Sequence, residues 1–344
     1  MNAAVLDAWS WPSPVKAERL SGGLINQTWR VIDADNRLVA VLQRLNTEIF
    51  RPEVHEDIEA VTTAIVAAGL RTPRLVRTRS GALWHTAEDG GVYRVLTPVG
   101  DRTVDALVDP QDARSAGALV GRVHRAVRDL DWSFRMVRPG AHDTDAHMQA
   151  LAAAVERHPA HRLHGEVAPL AANLQRAWAA WDGPTHLPAR VVHGDLKISN
   201  IRFAGPTALA VIDLDTFALG TLDVELGDAM RSWCNRTSED HAAPQFDRPL
   251  FGAAIAGYAT GAGDSVRADE WDGIVPGVHR ICLELSARFL RDALEERYFG
   301  WDPAFGGQGE HNLLRARGQA ALAADVAHQR TALQAVVARA RTVA

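Results

Sequence analysis

The run His193-Gly194-Asp195-Leu196-Lys197-Ile198-Ser199-Asn200 sets an acid, a cation and an amide in one short loop, directly behind the apolar pair Val191-Val192. Further along, Val211-Ile212-Asp213-Leu214-Asp215 is an apolar strand-like run that ends in two carboxylates. These residue types suit transfer of a phosphoryl group to a hydroxyl. Such a reaction asks little covalent work of the protein: a carboxylate orients the acceptor hydroxyl and takes its proton, while metal ions and cations neutralise the moving group. Asp195 suits the first task. Asn200 and Asp213 offer the oxygen ligands that magnesium takes when it bridges phosphates. An Asp-to-Asn spacing is common by itself, and short motifs match by chance. The weight lies in the combination of strand-loop-strand context, a second carboxylate run and Lys197 two residues past the acid.

That lysine carries extra information because only Lys16 and Lys197 are lysines among 37 basic residues. A compact ammonium kept inside a reactive loop hints that a planar guanidinium would not serve there; for a single residue, chance is the competing explanation.

The elements that must position these groups fall into two parts. The first hundred residues hold short strand-like segments at Trp29 to Ile32, Leu38 to Leu45, Leu75 to Arg77 and Gly91 to Leu96, with the turn-rich Asp33-Ala34-Asp35-Asn36 between the first two. One helix, Glu53 to Ala68, interrupts them and stops at Gly69. After Thr97-Pro98-Val99-Gly100 the chain becomes mostly helical, with periodic segments near 110–130, 145–157, 166–181 and 277–298. Within that part, Ala189 to His193 and Ala208 to Leu214 are compact strands that deliver polar residues at their ends. The expectation is an α+β, two-lobe architecture: a small sheet-rich lobe over residues 1–100 that holds a nucleotide, and a helical lobe over 101–344 that carries the catalytic loop and the acceptor site.

The chain has 344 residues, 47% hydrophobic and 23% charged, with a formal net charge of -5. This is the composition of a globular protein, and it points to neither a nucleic-acid nor a membrane partner. No N-terminal basic segment leads into an apolar core and no stretch is apolar for long enough to span a bilayer, so a cytoplasmic location is expected. Cys234 and Cys282 are too few for a disulfide framework and lack metal-ligand spacing, so they read as buried or inert thiols.

The central loop has the H-x-D-x-x-x-x-N spacing of kinase catalytic loops. Together with the I-D-x-D run it makes the chain resemble the aminoglycoside phosphotransferase and choline kinase superfamily, which has a protein-kinase-like fold. More narrowly, it resembles the N-acetylhexosamine 1-kinase branch, which phosphorylates the anomeric hydroxyl of N-acetylglucosamine and N-acetylgalactosamine. The resemblance covers most of the chain. It includes Ser21-Gly22-Gly23-Leu24-Ile25-Asn26-Gln27-Thr28-Trp29, Leu42-Gln43-Arg44-Leu45-Asn46-Thr47, Leu226-Gly227-Asp228-Ala229-Met230-Arg231 and the segment Leu283 to Asp292.

The resemblance implies ATP and Mg2+ as cofactors and a small-molecule acceptor, a sugar before others. It implies Asp195 as base, Lys197 as partner of the transferring phosphate, Asn200 and Asp213 as metal ligands, and Asp215 beside the metal or as an additional ligand. Gly22 and Gly23 would let backbone approach the ATP phosphates, with Asn26 and Thr28 closing that segment; an ordinary Gly-rich turn is the plain alternative. Kinases also place a cation from the small lobe on those phosphates, usually a lysine paired with a helical glutamate. Lys16 precedes the Gly turn, so Arg44 is the candidate and Glu56 its partner; a solvated strand arginine is the alternative.

Two departures stand out. Glu225 replaces the aspartate that usually opens the D-x-G-D element, and Leu24 replaces a polar residue common in the hexosamine branch.

For the acceptor, Glu284, Arg288 and Asp292 recur every fourth residue and share one helix face, either a salt-bridged surface or the wall of a cleft. Arg315 and Arg317 are further wall candidates or exposed helix arginines. Trp233, Tyr298 and Trp301 are either core aromatics or stacking surfaces for a sugar. Three functions stay open: a sugar 1-kinase, an aminoglycoside or amino-alcohol kinase with an acidic acceptor pocket, and a catalytically silent nucleotide-binding regulator. Monomer and homodimer are equally compatible with the sequence.

Overall fold

The computed structural model describes residues 3–20, 25–137, 140–237 and 239–342. After a short helix α1 (Ala3–Leu6), six strands form one antiparallel sheet: β1 (Lys16–Arg19), β2 (Gln27–Ile32), β3 (Leu38–Arg44), β4 (Leu75–Val76), β5 (His85–Thr86) and β6 (Val92–Leu96). The order is β1-β2-β3-β6-β4, with β5 also paired to β6. Side chains alternate across such a sheet. Ala40 and Leu42 of β3 therefore share one buried face with Trp9, Trp29, Val31, Tyr93 and Val95, while Gln43 lies on the other face, directly opposite Arg94 of β6.

Helix α2 (Val54–Ala67) covers part of this lobe and ends where Gly69 takes φ +77°, as its glycine predicts. The chain then crosses to the helical lobe at residues 97–102. There Asp101 and Arg102 donate backbone N–H groups to the carbonyl of Phe203, at 3.0 and 3.2 Å, and Arg202 reaches the carbonyls of Val99 and Gly100.

The second lobe contains α3 (Pro110–Ala126), α4 (Thr144–Arg157), α5 (His164–Ala179), α6 (Leu222–Trp233), α7 (Arg248–Ala262), α8 (Ala268–Glu295) and α9 (Gln308–Arg341). Two small antiparallel pairs are set among them. In one, β7 (Arg190–Val192) pairs with β10 (Ala218–Gly220); in the other, β8 (Ile201–Ala204) pairs with β9 (Thr207–Val211). The catalytic loop thus joins β7 to β8, and the two-carboxylate run joins β9 to β10.

Helix α8 begins nine residues before the expected 277 and runs through Pro276. A proline inside a helix removes one donor. Here the Pro276 carbonyl accepts the Trp181 indole N–H at 3.0 Å, and the next residue, Gly277, lies so close to α6 that a Cβ would stand 2.1 Å from the Asp223 carbonyl. Tertiary packing keeps the helix continuous through a sequence that reads as a break. Both cysteines are buried, and burial pushes the Cys282 thiol up to about 12. Among the described residues no helix is long and apolar enough to cross a membrane.

Candidate active site

β7 ends at Val192, and the loop that follows is fixed from several directions. Gly194 has φ +77°, and a Cβ there would stand 2.8 Å from the Thr216 carbonyl, so the catalytic loop passes hard against the turn that bears Asp213 and Asp215. The Glu225 carboxylate, at the start of α6, accepts the backbone N–H groups of His193 (2.7 Å) and Gly194 (2.9 Å). Its burial opposes ionisation, but His124, His193 and the Gly194 N–H hold it below the usual carboxylate range. The glutamate in place of the usual aspartate therefore does steady the loop. The His193 ring donates through Nε2 to the Ile212 carbonyl (2.8 Å), while its Nδ1 accepts the Asp195 N–H (3.3 Å). Trp233, completely buried, donates its indole N–H to the Leu196 carbonyl at 2.7 Å, so it is a core residue that anchors the loop and not a stacking surface.

This frame presents Asp195 half-buried. Its Oδ2 accepts from Lys197 Nζ (2.9 Å) and from Asn200 Nδ2 (3.1 Å), and the same Asn200 amide donates to the Asp195 carbonyl at 2.8 Å. Burial opposes the Lys197 charge, but Asp195, with smaller contributions from Asp213 and Asp228, holds its pKa above the ordinary value. Asn200 also joins the two loops, because its carbonyl accepts the Ile212 N–H at 2.9 Å.

Asp213 stands at the head of the metal turn in the left-handed region (φ 63°, ψ 57°), which aspartate tolerates better than most side chains. Burial raises its pKa, and the nearby Asp215 and Asp195 charges raise it further. A carboxylate kept from ionising by burial and like charge gains most from a cation beside it, so the donor set fits a hard divalent ion. Among the described residues no group of three His, Cys, Asp or Glu side chains is arranged to hold a metal unaided. Asp213 and Asn200 would share the ion with phosphate oxygens, as is usual for magnesium.

Asp215 is placed differently from Asp213. Its carboxylate is completely buried and bidentate with the guanidinium of Arg94 on β6: Arg94 Nη1 meets Oδ1 and Nη2 meets Oδ2 at 2.7 Å. Asn26 Nδ2 donates to the same Oδ2 at 2.7 Å. Asn26 in turn accepts the Asn46 N–H at 2.9 Å, and Arg94 Nε donates to Gln43, whose amide reaches the Thr28 hydroxyl at 3.2 Å. Gly22, Gly23 and Leu24 lie outside the described residues.

The structure does not bring Arg44 and Glu56 together. Arg44 is half-buried, 3.6 Å from Asp89 and over the Tyr93 ring, and Glu56 pairs with Arg135 at 3.1 Å. Lys16 is exposed and pairs with Glu18. Arg94 is a completely buried small-lobe arginine that faces the two-carboxylate turn, and the sequence did not single it out. Its signal was an arginine within Val92-Tyr93-Arg94-Val95-Leu96, an otherwise apolar or aromatic strand.

Residues 16–263 match the model of the phosphotransferase enzyme family (APH). The chain belongs to that family. It is 28% identical over 265 residues to a homoserine kinase of Methylorubrum populi, covering 69% of this chain and 78% of that one. A homoserine kinase of Methylobacterium nodulans is 27% identical over 266 residues, covering 70% and 78%. Among solved structures, an aminoglycoside phosphotransferase from Alicyclobacillus acidocaldarius superposes with a TM-score of 0.65 at 16% identity, over 100% of this chain and 97% of that one. A microcompartment-associated aminopropanol kinase superposes with a TM-score of 0.59 at 16% identity, over 96% and 97%. At such identities the structural likeness speaks for the fold, a small antiparallel sheet lobe on a helical lobe. Family membership makes the chain a small-molecule kinase that uses ATP and a divalent metal and transfers to a hydroxyl.

The acceptor candidates Glu284, Arg288 and Asp292 do share one face of α8, and that face is turned inward, not solvated. Glu284 is completely buried. It accepts from the Thr144 hydroxyl at 2.8 Å and pairs with His142 Nδ1 at 3.0 Å, with Arg288 at 3.7 Å and His147 at 4.0 Å from Oε1. One turn earlier, Arg280 reaches the His142 carbonyl (2.8 Å), the Thr144 hydroxyl (3.0 Å) and Asp223 (3.3 Å). Arg280 and Glu284 together clamp the start of α4 onto α8. Asp228 on α6 continues this wall toward the catalytic loop. Burial opposes its ionisation, but Arg231 at 2.8 Å, with His142 and Lys197 beyond, holds it below the ordinary range.

Asp292 is not available to an acceptor. Its oxygens take the backbone N–H groups of Arg297, Tyr298 and Phe299, with Gln308 and Asn312 adding side-chain bonds. It organises the turn after α8. Arg315 reaches Asp240 and the Gly300 carbonyl, and Arg317 pairs with Glu166. Tyr298 and Trp301 are exposed. His142 and Arg280 belong to the wall and were missed, because their partners are distant in sequence.

Proposed function

We propose that this phosphotransferase moves the γ-phosphoryl group of ATP, with magnesium, onto the anomeric hydroxyl of an N-acetylhexosamine or a related sugar. Residues 1–100 hold the nucleotide, with Gly22, Gly23, Asn26 and Thr28 at its phosphate end; residues 101–344 supply the loop, the metal turn and the acceptor wall. Asp195 is the general base. Both side-chain bonds to its carboxylate fall on Oδ2, and among the described residues Oδ1 takes none, so Oδ1 is the oxygen that receives the hydroxyl proton. Lys197 faces the transferring phosphoryl group, while Asp213 and Asn200 hold the metal. A magnesium ion there would neutralise phosphate charge as the bond to the leaving oxygen breaks.

The observation that carries the sugar reading is the charge balance of the acceptor wall. Asp223, Asp228 and Glu284 are met by Arg280, Arg231 and Arg288 respectively. A cationic acceptor such as an aminoglycoside or choline calls for surplus carboxylates. A neutral polyhydroxy ring calls for mixed donors and acceptors, which this wall supplies.

A second reading, a hydroxy amino acid as acceptor, is favoured by the homoserine kinases at 27 and 28% identity, since a zwitterion also suits a balanced wall. ADP release measured with an acceptor panel separates them. Free N-acetylhexosamines should stimulate turnover and their methyl glycosides should not, because capping the anomeric oxygen removes the nucleophile while leaving most ring contacts intact. Equal rates with methyl glycosides would exclude the 1-kinase. Faster turnover with L-homoserine would select the second reading, and faster turnover with an aminoglycoside or an amino alcohol would overturn the argument from charge balance.

A further inference from the structure

Between the small lobe and the metal turn lies one completely buried, bidentate ion pair, and its members come from elements far apart in the fold. Arg94 belongs to β6 of the six-stranded sheet, whereas Asp215 belongs to the turn between β9 and β10. In kinases the small-lobe cation finds its carboxylate on the neighbouring helix of the same lobe. Helix α2 offers none here: Glu56 is turned to Arg135, Glu59 pairs with Arg77, and Asp57 accepts from the Trp132 indole and the backbone of Arg135 and Met136. The α2 residue within electrostatic reach of the pair is His55, which is completely buried. Its Nδ1 lies 2.6 Å from the Pro52 carbonyl and so carries the proton, and among the described residues Nε2 has no partner, so the ring is neutral. The counter-charge of Arg94 therefore comes from across the cleft.

We propose that Arg94 and Asp215 form an interlobe lock, in which Asp215 anchors the metal turn and Arg94 is a positioning residue that holds β6, and with it Asn26 at the head of β2, against that turn. Asp215 does not ligate the metal in this arrangement, since Arg94 takes both of its oxygens and Asn26 shares one of them. Asn26 makes the lock a three-way junction. It stands directly before β2, hydrogen-bonds Asp215, and is held through its own oxygen by the Asn46 backbone after β3. Gln43 and Thr28 extend the junction along β3 and β2. Asp213 is two residues from the anchor and adopts a left-handed backbone. Fixing Asp215 fixes the direction in which Asp213 faces.

The inference rests on the nucleotide half of the proposed function and not on the acceptor. Its test reads binding of a fluorescent ATP analogue at graded Mg2+ without turnover, so an unproductive acceptor panel and a failed lock are separate results. If the pair is a lock, Asp215→Asn and Arg94→Gln each weaken Mg2+-dependent nucleotide binding tenfold or more, in the same direction. If Asp215 is a ligand, Asp215→Asn raises the Mg2+ requirement, while Arg94→Gln leaves it unchanged or lowers it by releasing the carboxylate; that outcome overturns the proposal.

Either single variant leaves one buried charge unpaired, at a cost to folding, so the cycle is completed with Arg94→Gln/Asp215→Asn, in which both charges are gone, and with Asn26→Ala. The lock requires the double variant to melt near the wild type yet bind nucleotide no better than a single variant. It also requires Asn26→Ala to weaken nucleotide binding in the wild type and to add nothing in the double variant. Additive losses, or wild-type binding in the double variant, overturn it.

Discussion

On the nucleotide side of the reacting centre the decisive charges are dry: Arg94 and Asp215 exclude solvent almost entirely and meet through two parallel contacts. On the acceptor side they are graded. Glu284 is buried, but its partners His142 and Arg288 keep 30% and 22% of their side-chain surface, so the wall is sealed at its root and wet at its edge. The difference follows from what each side must do. Under the proposed function ATP is an invariant reagent, and a rigid junction beside its site can be built once into the core. An acceptor must enter and leave, and the proposed wall offers it groups that still contact water. Burial also ranks the groups energetically. Removing one partner of a buried pair costs roughly 3–5 kcal/mol, because the other charge is left stranded. An exposed pair such as Arg44 with Asp89 contributes about 0–1 kcal/mol.

Substitutions can break this contrast or sharpen it. The largest loss should come where the two sides meet: Asp195→Asn should lower turnover by about 10²- to 10⁴-fold, the span of general-base catalysis, with nucleotide binding retained. Steady-state ADP release beside a nucleotide titration measures both, and near-normal turnover would remove Asp195 from its role. On the acceptor side, Glu284→Gln should raise the acceptor KM roughly tenfold, the effect of losing a charge-assisted hydrogen bond, and leave the ATP KM in place. Equal shifts in both KM values would mean that the clamp on α4 serves the whole lobe and not the acceptor. The smallest effect belongs to Arg44→Ala, which should change the ATP KM by no more than about twofold, since its ion pair is exposed. A large rise would restore Arg44 as the phosphate cation and weaken the case for Arg94.

How far the sequence led can be read from the distances its residues span. Asp195, Lys197 and Asn200 sit in one loop, and the strands that flank it are short apolar runs, so the loop and the convergence of its three side chains were legible. Arg94 and Asp215 are 121 positions apart, and His142 and Glu284 are 142 apart. Nothing local marks such pairs. Arg44 is the candidate in the sequence because Lys16 precedes the Gly turn; the structure sets it half-buried beside Asp89 and leaves Glu56 with Arg135. The four-residue spacing of Glu284, Arg288 and Asp292 correctly gave a shared face, but not that Asp292 would be taken up by the amides of residues 297–299. Four of the six small-lobe strands and α2 were found to within a few residues because Gly69 and the turn at 33–36 punctuate them, whereas β1 and the two-residue β5 were not read. Helix α9 was not read as a helix of 34 residues: its buried face includes small or polar side chains such as Ala316, Gln319 and Ala323, which dilute the apolar period.

The scarcity of lysine has a practical side. Among side chains, an amine-acylating reagent meets only Lys16 and Lys197 in this protein. Lys16 lies on an edge strand against Glu18, while Lys197 lies 2.9 Å from Asp195 with 40% of its side chain exposed. Ordinary amine chemistry, indiscriminate on most surfaces, becomes a probe of the reactive loop: peptide mapping has two side-chain products to count, and one of them reports directly on whether that loop is covered.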